Sequence, residues 1–280
     1  MYGIKRIQGK ITTLSPLFSG GNEKTGITVS LNRMAYLVNG ERVEVPCVSG
    51  NEVRGYLRRL IMADYLDKSG YELDLETKEG KHLFHTLFTG GILSEAEGQM
   101  QGAIDLTFKR KIYDKILPAR LLGFAFGNQM IEGKLKVSAM LPLCKEIQKF
   151  LPDQYASKLS LYEMLSVQFQ TRRDDLRAPR ESKSDDQAIQ MIIEQEVFTP
   201  GAEFYHEFAV EDPDLLSVAT LARMIELWKE KPYIGGKSSI GYGQLKLEYA
   251  QLDSAPYFDF IALNKDSVSK TLAEFEAMFK

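Results

Sequence analysis

The sequence predicts an α+β fold, and three observations carry that expectation. Short runs in which apolar and polar residues alternate recur at 28–46, 135–139, 196–210 and 244–249, the period of half-buried strands. Two longer stretches, 49–67 and 215–231, place apolar residues at helical spacing. In chain order these read strand, helix, strands, a second set of strands, helix, glycine loop, strand. That order suggests a ferredoxin-like β-α-β core carrying long insertions.

The first run, IKRIQGKITTL at 4–14, spreads Ile4, Ile7, Ile11 and Leu14 among polar neighbours, the pattern of an irregular or bulged strand. SPLFSGGNEKTG reads as a loop, and TVSLNRMAYLVNGERVEVP as a hairpin turning at Asn39 and Gly40. SGNEVRGYLRRLIMADYLD opens with Ser49 and, three residues on, Glu52, a capping-box pattern; Val53, Tyr56, Leu57, Leu60 and Ile61 then recur at helical spacing. Residues 67–80 read as a polar connection, and 82–106 as a short apolar helix, a glycine-rich loop and a short strand. Leu135, Val137 and Ala139 alternate in a further strand. The segment 168–187 has five basic and five acidic residues between Arg172 and Asp186 and reads as an exposed loop. EVFTPGAEFYHEFAV is a strand with a Pro-Gly turn inside it, Asp212 and Pro213 mark a helix start, and QLKLEY is a last strand.

A chain of 280 residues can bury a core without metal or disulfide support. With 44% hydrophobic and 26% charged residues it has the balance of a folded globular protein, which excludes disordered and fibrous classes. No run approaches the roughly 20 apolar residues of a membrane span. The opening MYGIKRIQGKITTLSPL alternates where a secretory leader needs a continuous apolar core, so the expected location is cytoplasmic, with no membrane partner. Cys47 and Cys144 lie far apart in apolar surroundings and are expected as buried reduced thiols. The net charge of −3 carries no basic excess, so any phosphate binding must come from local clusters of Lys and Arg.

The loop PYIGGKSSIGYG, 232–243, joins a helical run to a strand. It is neither a phosphate loop nor a dinucleotide turn, because both need a strand before and a helix after. Its four glycines, two serines and Lys237 suit a structural turn, or a cradle whose backbone N–H groups approach a phosphate chain closely. Arg54 and Arg58 share one helix face, which is either a solvated surface or an anion site in the first turns of a helix. His82 and His85 form an HxxH pair with no third ligand placed by sequence, and His206 has no evident partner. No nucleophile elbow or HExxH motif occurs. The segment 172–183 reads as a solvated mixed-charge insertion or as an arm closing on nucleic acid or a neighbouring subunit.

Together these motifs resemble those of the RAMP superfamily, in particular the backbone subunits that polymerise along CRISPR RNA, of a type IV or type III/I-D-like kind. The family's helix-start motif is matched by VSGNEVRGYLRR, with Gly50, Val53, Arg54, Gly55, Leu57 and Arg58 in register, and its late glycine-rich loop by GGKSSIGYG. FTPGAEFYHEFAV and FGNQMIEGKLKVSAM look like two of the family's strands, so the resemblance runs through most of the chain in order.

The resemblance implies a single domain over 1–280 with an RNA-recognition-like core, an inserted subdomain at 67–131 and a thumb-like insertion at 145–200, the insertions forming a thumb and a lid. It implies contacts to the RNA backbone, and not to its bases, from Ser19, Gly20, Gly21, Asn32, Ser49, Asn51, Arg54, Arg58, Arg172, Arg173, Gly235, Gly236, Lys237, Ser238 and Ser239. The implied partners are CRISPR RNA, a target nucleic acid paired with that guide, further copies of the chain and other effector-complex subunits, with no cofactor or metal. In members that cleave target RNA, an aspartate ahead of the helix motif supports metal-assisted cleavage. Here Asn32 lies nearest that place and lacks the charge, with Glu23 and Glu41 as the acids nearby. The expectation is a non-cleaving subunit; the alternative is a metal-dependent target-RNA ribonuclease subunit of a type III-like complex.

Overall fold

A computed structural model of the chain describes residues 3–25, 28–91, 106–126, 129–172 and 191–279. In chain order the elements begin with β1 (Ile4–Thr13), β2 (Gly20–Thr25), β3 (Thr28–Leu31), β4 (Arg33–Val38), β5 (Glu41–Pro46) and α1 (Gly50–Ser69). They continue with α2 (Lys78–Thr89), α3 (Leu106–Lys115), α4 (Leu117–Leu122), β6 (Phe124–Phe126), β7 (Gln129–Ile131), β8 (Leu135–Val137) and β9 (Leu141–Pro142). The last are β10 (Leu165–Arg172), β11 (Met191–Phe198), β12 (Glu203–Glu211), α5 (Leu215–Glu230), β13 (Leu245–Tyr249) and α6 (Ala255–Ala277).

The main sheet runs β13-β1-β12-β8, with β9 also paired to β12, and every pairing in it is antiparallel. In the chain α1 falls between β1 and β8, and α5 between β12 and β13. β1 is a regular strand, not the irregular one expected: Ile7, Gly9, Ile11 and Thr13 face inward, while Ile4 and Leu14 are exposed. The bare Gly9 makes room for the Tyr249 ring, since a Cβ there would lie 2.2 Å from it. Tyr249 and His206 are buried beside Trp228, and the Tyr249 hydroxyl is 2.7 Å from His206 Nδ1.

A second sheet runs β10-β11-β3-β2, in which β11 and β3 are parallel. Two parts of it were expected as loop: Gly20–Thr25 pairs with β3, and residues 168–172 belong to β10. The remainder of the mixed-charge segment, 173–190, lies outside the described residues. β4 and β5 form the expected hairpin, with φ of 53° at Asn39 and 90° at Gly40, the left-handed pair that a tight hairpin turn requires.

α1 packs against α2, α4, α5 and α6 over one continuous apolar core. α6 had no counterpart in the sequence reading; its Tyr257, Ile261, Val268, Leu272 and Phe275 are buried. It is tied inward by polar groups as well, since Asp64 of α1 pairs with Arg223 of α5 at 2.8 Å and accepts from the Tyr257 hydroxyl at 2.9 Å. α5 begins at Leu215 with Asp214 as its cap, later than the expected start at Asp212 and Pro213. Asp212 instead has φ 43° and its N–H donates to Gly3 O, so the chain is still turning there. Both cysteines are buried and free.

Filling the Gly9 space with Gly9→Val is expected to destabilise the protein by about 1–3 kcal/mol through overpacking, read as a lowered thermal midpoint by circular dichroism. His206 yields a pH prediction. Burial pushes its imidazole down from 6.5 to about 3, so between these values the unfolded chain takes up a proton that the folded chain does not. Stability should fall as pH drops below about 6.5, with a slope approaching ~1.4 kcal/mol per pH unit from this group, and denaturant titrations of His206→Gln should show a shallower decline.

Candidate nucleic-acid interface

Segments far apart in sequence meet where α1 begins. Ser19 is buried; its carbonyl accepts from Asn32 N–H at 2.9 Å, and its hydroxyl donates to the Glu52 carboxylate at 2.6 Å. Asn32 separates β3 from β4, its carbonyl accepts from Cys47 N–H at 2.8 Å, and its side-chain amide lies 3.5 Å from Cys47 O and 3.7 Å from Cys47 Sγ. Gly20 pairs with Leu31, and a Cβ on Gly21 would press on Leu31 O at 3.0 Å. Ser49 caps α1 by accepting from Glu52 N–H at 3.1 Å. Only half of the expected capping box is present, because the Glu52 carboxylate reaches Ser19. Burial pushes the Glu52 carboxyl up, and the Ser19 hydroxyl works in the opposite direction.

The glycine loop joins this end of the molecule through Phe18. Gly236 N–H donates to Phe18 O at 2.8 Å, and Gly235 has φ 87° with Phe18 O 2.4 Å from where its Cβ would be. Gly235 is therefore required by the turn and by the close approach together. Lys237 also adopts a left-handed conformation, with φ 64°. Its ammonium donates to Gln170 Oε1 at 2.7 Å and to Gln195 Oε1, which secures the loop to the second sheet, and burial pushes its pKa down. Ser238 and Ser239 are exposed. Ser19, Gly20, Gly21, Asn32, Ser49 and the 235–239 loop thus form one patch.

Arg54 and Arg58 face a different neighbour. Arg58 is buried and its guanidinium donates to Gly123 O at 2.8 Å and Leu122 O at 3.0 Å, the carbonyls at the end of α4. A cation at a helix C-terminus complements both the orphan carbonyls and the helix dipole. Arg54 also donates to Leu122 O, so two guanidinium groups converge on one oxygen. Burial, with the Arg54 charge beside it, pushes Arg58 down to about 10; burial lowers Arg54 as well. With Asn51, both arginines line a cleft of about 730 Å³ between α1 and the α4–β6 corner.

The remaining candidates are not gathered. Arg172 ends β10, and Arg173 lies outside the described residues. His82 and His85 are exposed on α2, His82 stacked on Phe279, and among the described residues no group of three His, Cys, Asp or Glu is placed to hold a metal. Two contacts had no sequence signal. Arg33 pairs with Glu196 through bonds of 2.6 and 2.7 Å across the β3–β4 break, and Gln195, 99% buried, meets Lys237 from the part of β11 that precedes the alternating run expected at 196–210.

Fold and site together define an α+β protein in which small, hydroxyl-bearing and amide side chains from four separate segments gather where its first long helix begins. The chain belongs to the RAMP superfamily, whose family model matches residues 10–246. Its fold is similar to that of a chain in a solved structure described as "Type IV-B CRISPR Complex", with a TM-score of 0.64, 17% sequence identity, and coverage of 88% of this chain and 90% of that one. No curated protein matches. Among the described residues no helix is long and apolar enough to cross a membrane.

Lys237→Ala leaves the Gln170 and Gln195 carbonyls without their donor and is expected to cost about 1–3 kcal/mol. Ser239→Ala, at an exposed position, is expected to stay within about 0.5 kcal/mol. Chemical denaturation of the two variants beside the parent protein checks the contrast.

Proposed function

We propose that this protein is a guide-RNA-binding backbone subunit of a CRISPR surveillance complex, carrying the guide along its surface for pairing with a target and not cleaving it. The observation that carries the proposal is the gathering of Ser19–Gly21, Asn32, Ser49 and residues 235–239 into one patch. Small side chains let a phosphate chain come close to backbone N–H groups, and such contacts hold RNA without reading its sequence. Membership of the RAMP superfamily and the likeness to a chain of a Type IV-B CRISPR complex support the same reading.

In this reading the β1-α1-β8-β12-α5-β13 order is a ferredoxin-like core, residues 67–131 are an inserted subdomain, and 145–200 form the thumb. Asn51 and Arg54 extend the RNA-binding lining from the patch towards the cleft, and Arg58 supports them from beneath. Copies stack head to tail, the open arrangement that follows a linear polymer, so a net charge of −3 is compatible with basic and acidic surfaces that meet between neighbours. Asn32 supports the absence of cleavage, since a neutral amide cannot draw a metal ion or a proton as a carboxylate does.

Filter binding of single-stranded RNA tests the proposal. Affinity should fall with salt by about 0.7 log units per log unit for each phosphate contact. The doubly substituted Ser238→Glu, Ser239→Glu protein should bind at least tenfold more weakly with its fold intact. Unchanged affinity in that variant would sink the proposed patch, and regular RNA cleavage by the pure protein with Mg²⁺ or Mn²⁺ would replace the non-cleaving reading with the ribonuclease one.

A further inference from the structure

We propose that the cleft between the first turns of α1 and the α4–β6 corner binds the terminal phosphate monoester of a nucleotide, supplied either as a free nucleotide or as the phosphorylated end of an RNA. The inference rests on the residues of the cleft and does not need the guide-RNA reading.

Charge is the first reason. Among the described residues the hydrogen bonds of Arg54 and Arg58 go to the main-chain carbonyls of Leu122 and Gly123, and Arg54 Nε is buried with no partner. Among the described residues lining the cleft there is one carboxylate, Glu132, and it is paired with Lys136 at 2.7 Å. Among the described residues, therefore, no free counter-ion stands beside the two adjacent guanidinium groups, in a partly dry site where like charges repel more strongly than in water. A phosphate monoester carries about −1.5 to −2 near neutral pH and balances both. An interior phosphodiester or a single carboxylate brings one charge and balances only one of them. The planar fork of Arg also matches the spacing of phosphate oxygens.

Shape is the second reason. About 730 Å³ falls in the range of roughly 300–1,000 Å³ typical of small-molecule sites, enough for one nucleotide. Beside the arginines the lining turns apolar at Phe124 and at Met130, whose side chain is 79% exposed and so is free to cover a base or ribose. A flat, uncharged group attached to a doubly charged one matches this division of the lining.

Calorimetry with 5′-AMP and adenosine, together with anisotropy of one RNA oligonucleotide with and without a 5′-phosphate, tests the proposal on the intact chain. AMP should bind at least tenfold more tightly than adenosine. Met130→Glu, an exposed position where a carboxylate would enter the cleft, should abolish that difference while the circular dichroism spectrum is unchanged; Arg54→Gln should reduce it. A tenfold gain from the 5′-phosphate on RNA supports the site with an RNA end as its source, and an AMP preference without that gain supports it with a free nucleotide. The proposal is overturned if neither phosphate is preferred, or if the preference survives in Met130→Glu. It is also overturned if a glutamate-rich peptide binds in a Met130-dependent way while AMP does not, which would make the cleft a contact for a protein partner. Binding of the 5′-hydroxyl RNA in the same titrations reads the guide-RNA proposal separately.

Discussion

The front of the molecule depends on how closely the first turn of α1 approaches the core sheet. Gly50 opens the helix, and a Cβ there would lie 2.4 Å from Val137 O and 2.9 Å from Ser138 O. Any other residue would push the helix start away from the strand. With that contact kept, Ser49 caps the helix, Glu52 comes within reach of Ser19, and Arg54 and Arg58 are directed onto the end of α4. The same short stretch therefore sets both the patch and the cleft.

The two surfaces differ in chemistry as a consequence. The patch is made of glycine, serine and asparagine, and its lysine is held by two glutamine carbonyls, so small side chains and not free positive charge characterise it. The cleft instead holds two arginines that support a helix end, and the one carboxylate among its described lining residues is already paired. Contact along a polymer suits the first surface, and capture of a compact anion suits the second. Neither requires a basic protein, which is why a net charge of −3 carries little information about function here.

What was legible in the sequence was local. Asn39 and Gly40 announced their hairpin because a tight turn needs positive φ at both positions, and Ser49 announced α1 because the unpaired N–H groups of a helix's first turn need an acceptor. What was not legible depends on partners distant in the chain. Gly9 weakens a strand by every local rule, yet it is what lets Tyr249 lie over β1. Gly20–Thr25 looks like a loop until β3 pairs with it, and Asp214 rather than Asp212 caps α5 because the turn at Asp212 is held by Gly3. For the site, the residues of the patch were named from the sequence, but their convergence through Phe18 and Glu52 was not, and nothing in the spacing of Arg54 and Arg58 indicated that α4 would receive them.

The central claim is that a polymer passes over the patch formed by Ser19–Gly21, Asn32, Ser49 and residues 235–239, most of which lies within the segments 18–21, 47–52 and 235–241. Hydrogen–deuterium exchange of the protein with and without saturating single-stranded RNA measures this most directly. The account predicts slowed exchange in those three segments together, with the buried strands of the main sheet unchanged. Slowed exchange confined to other surfaces, with all three segments unaffected by bound RNA, would contradict it.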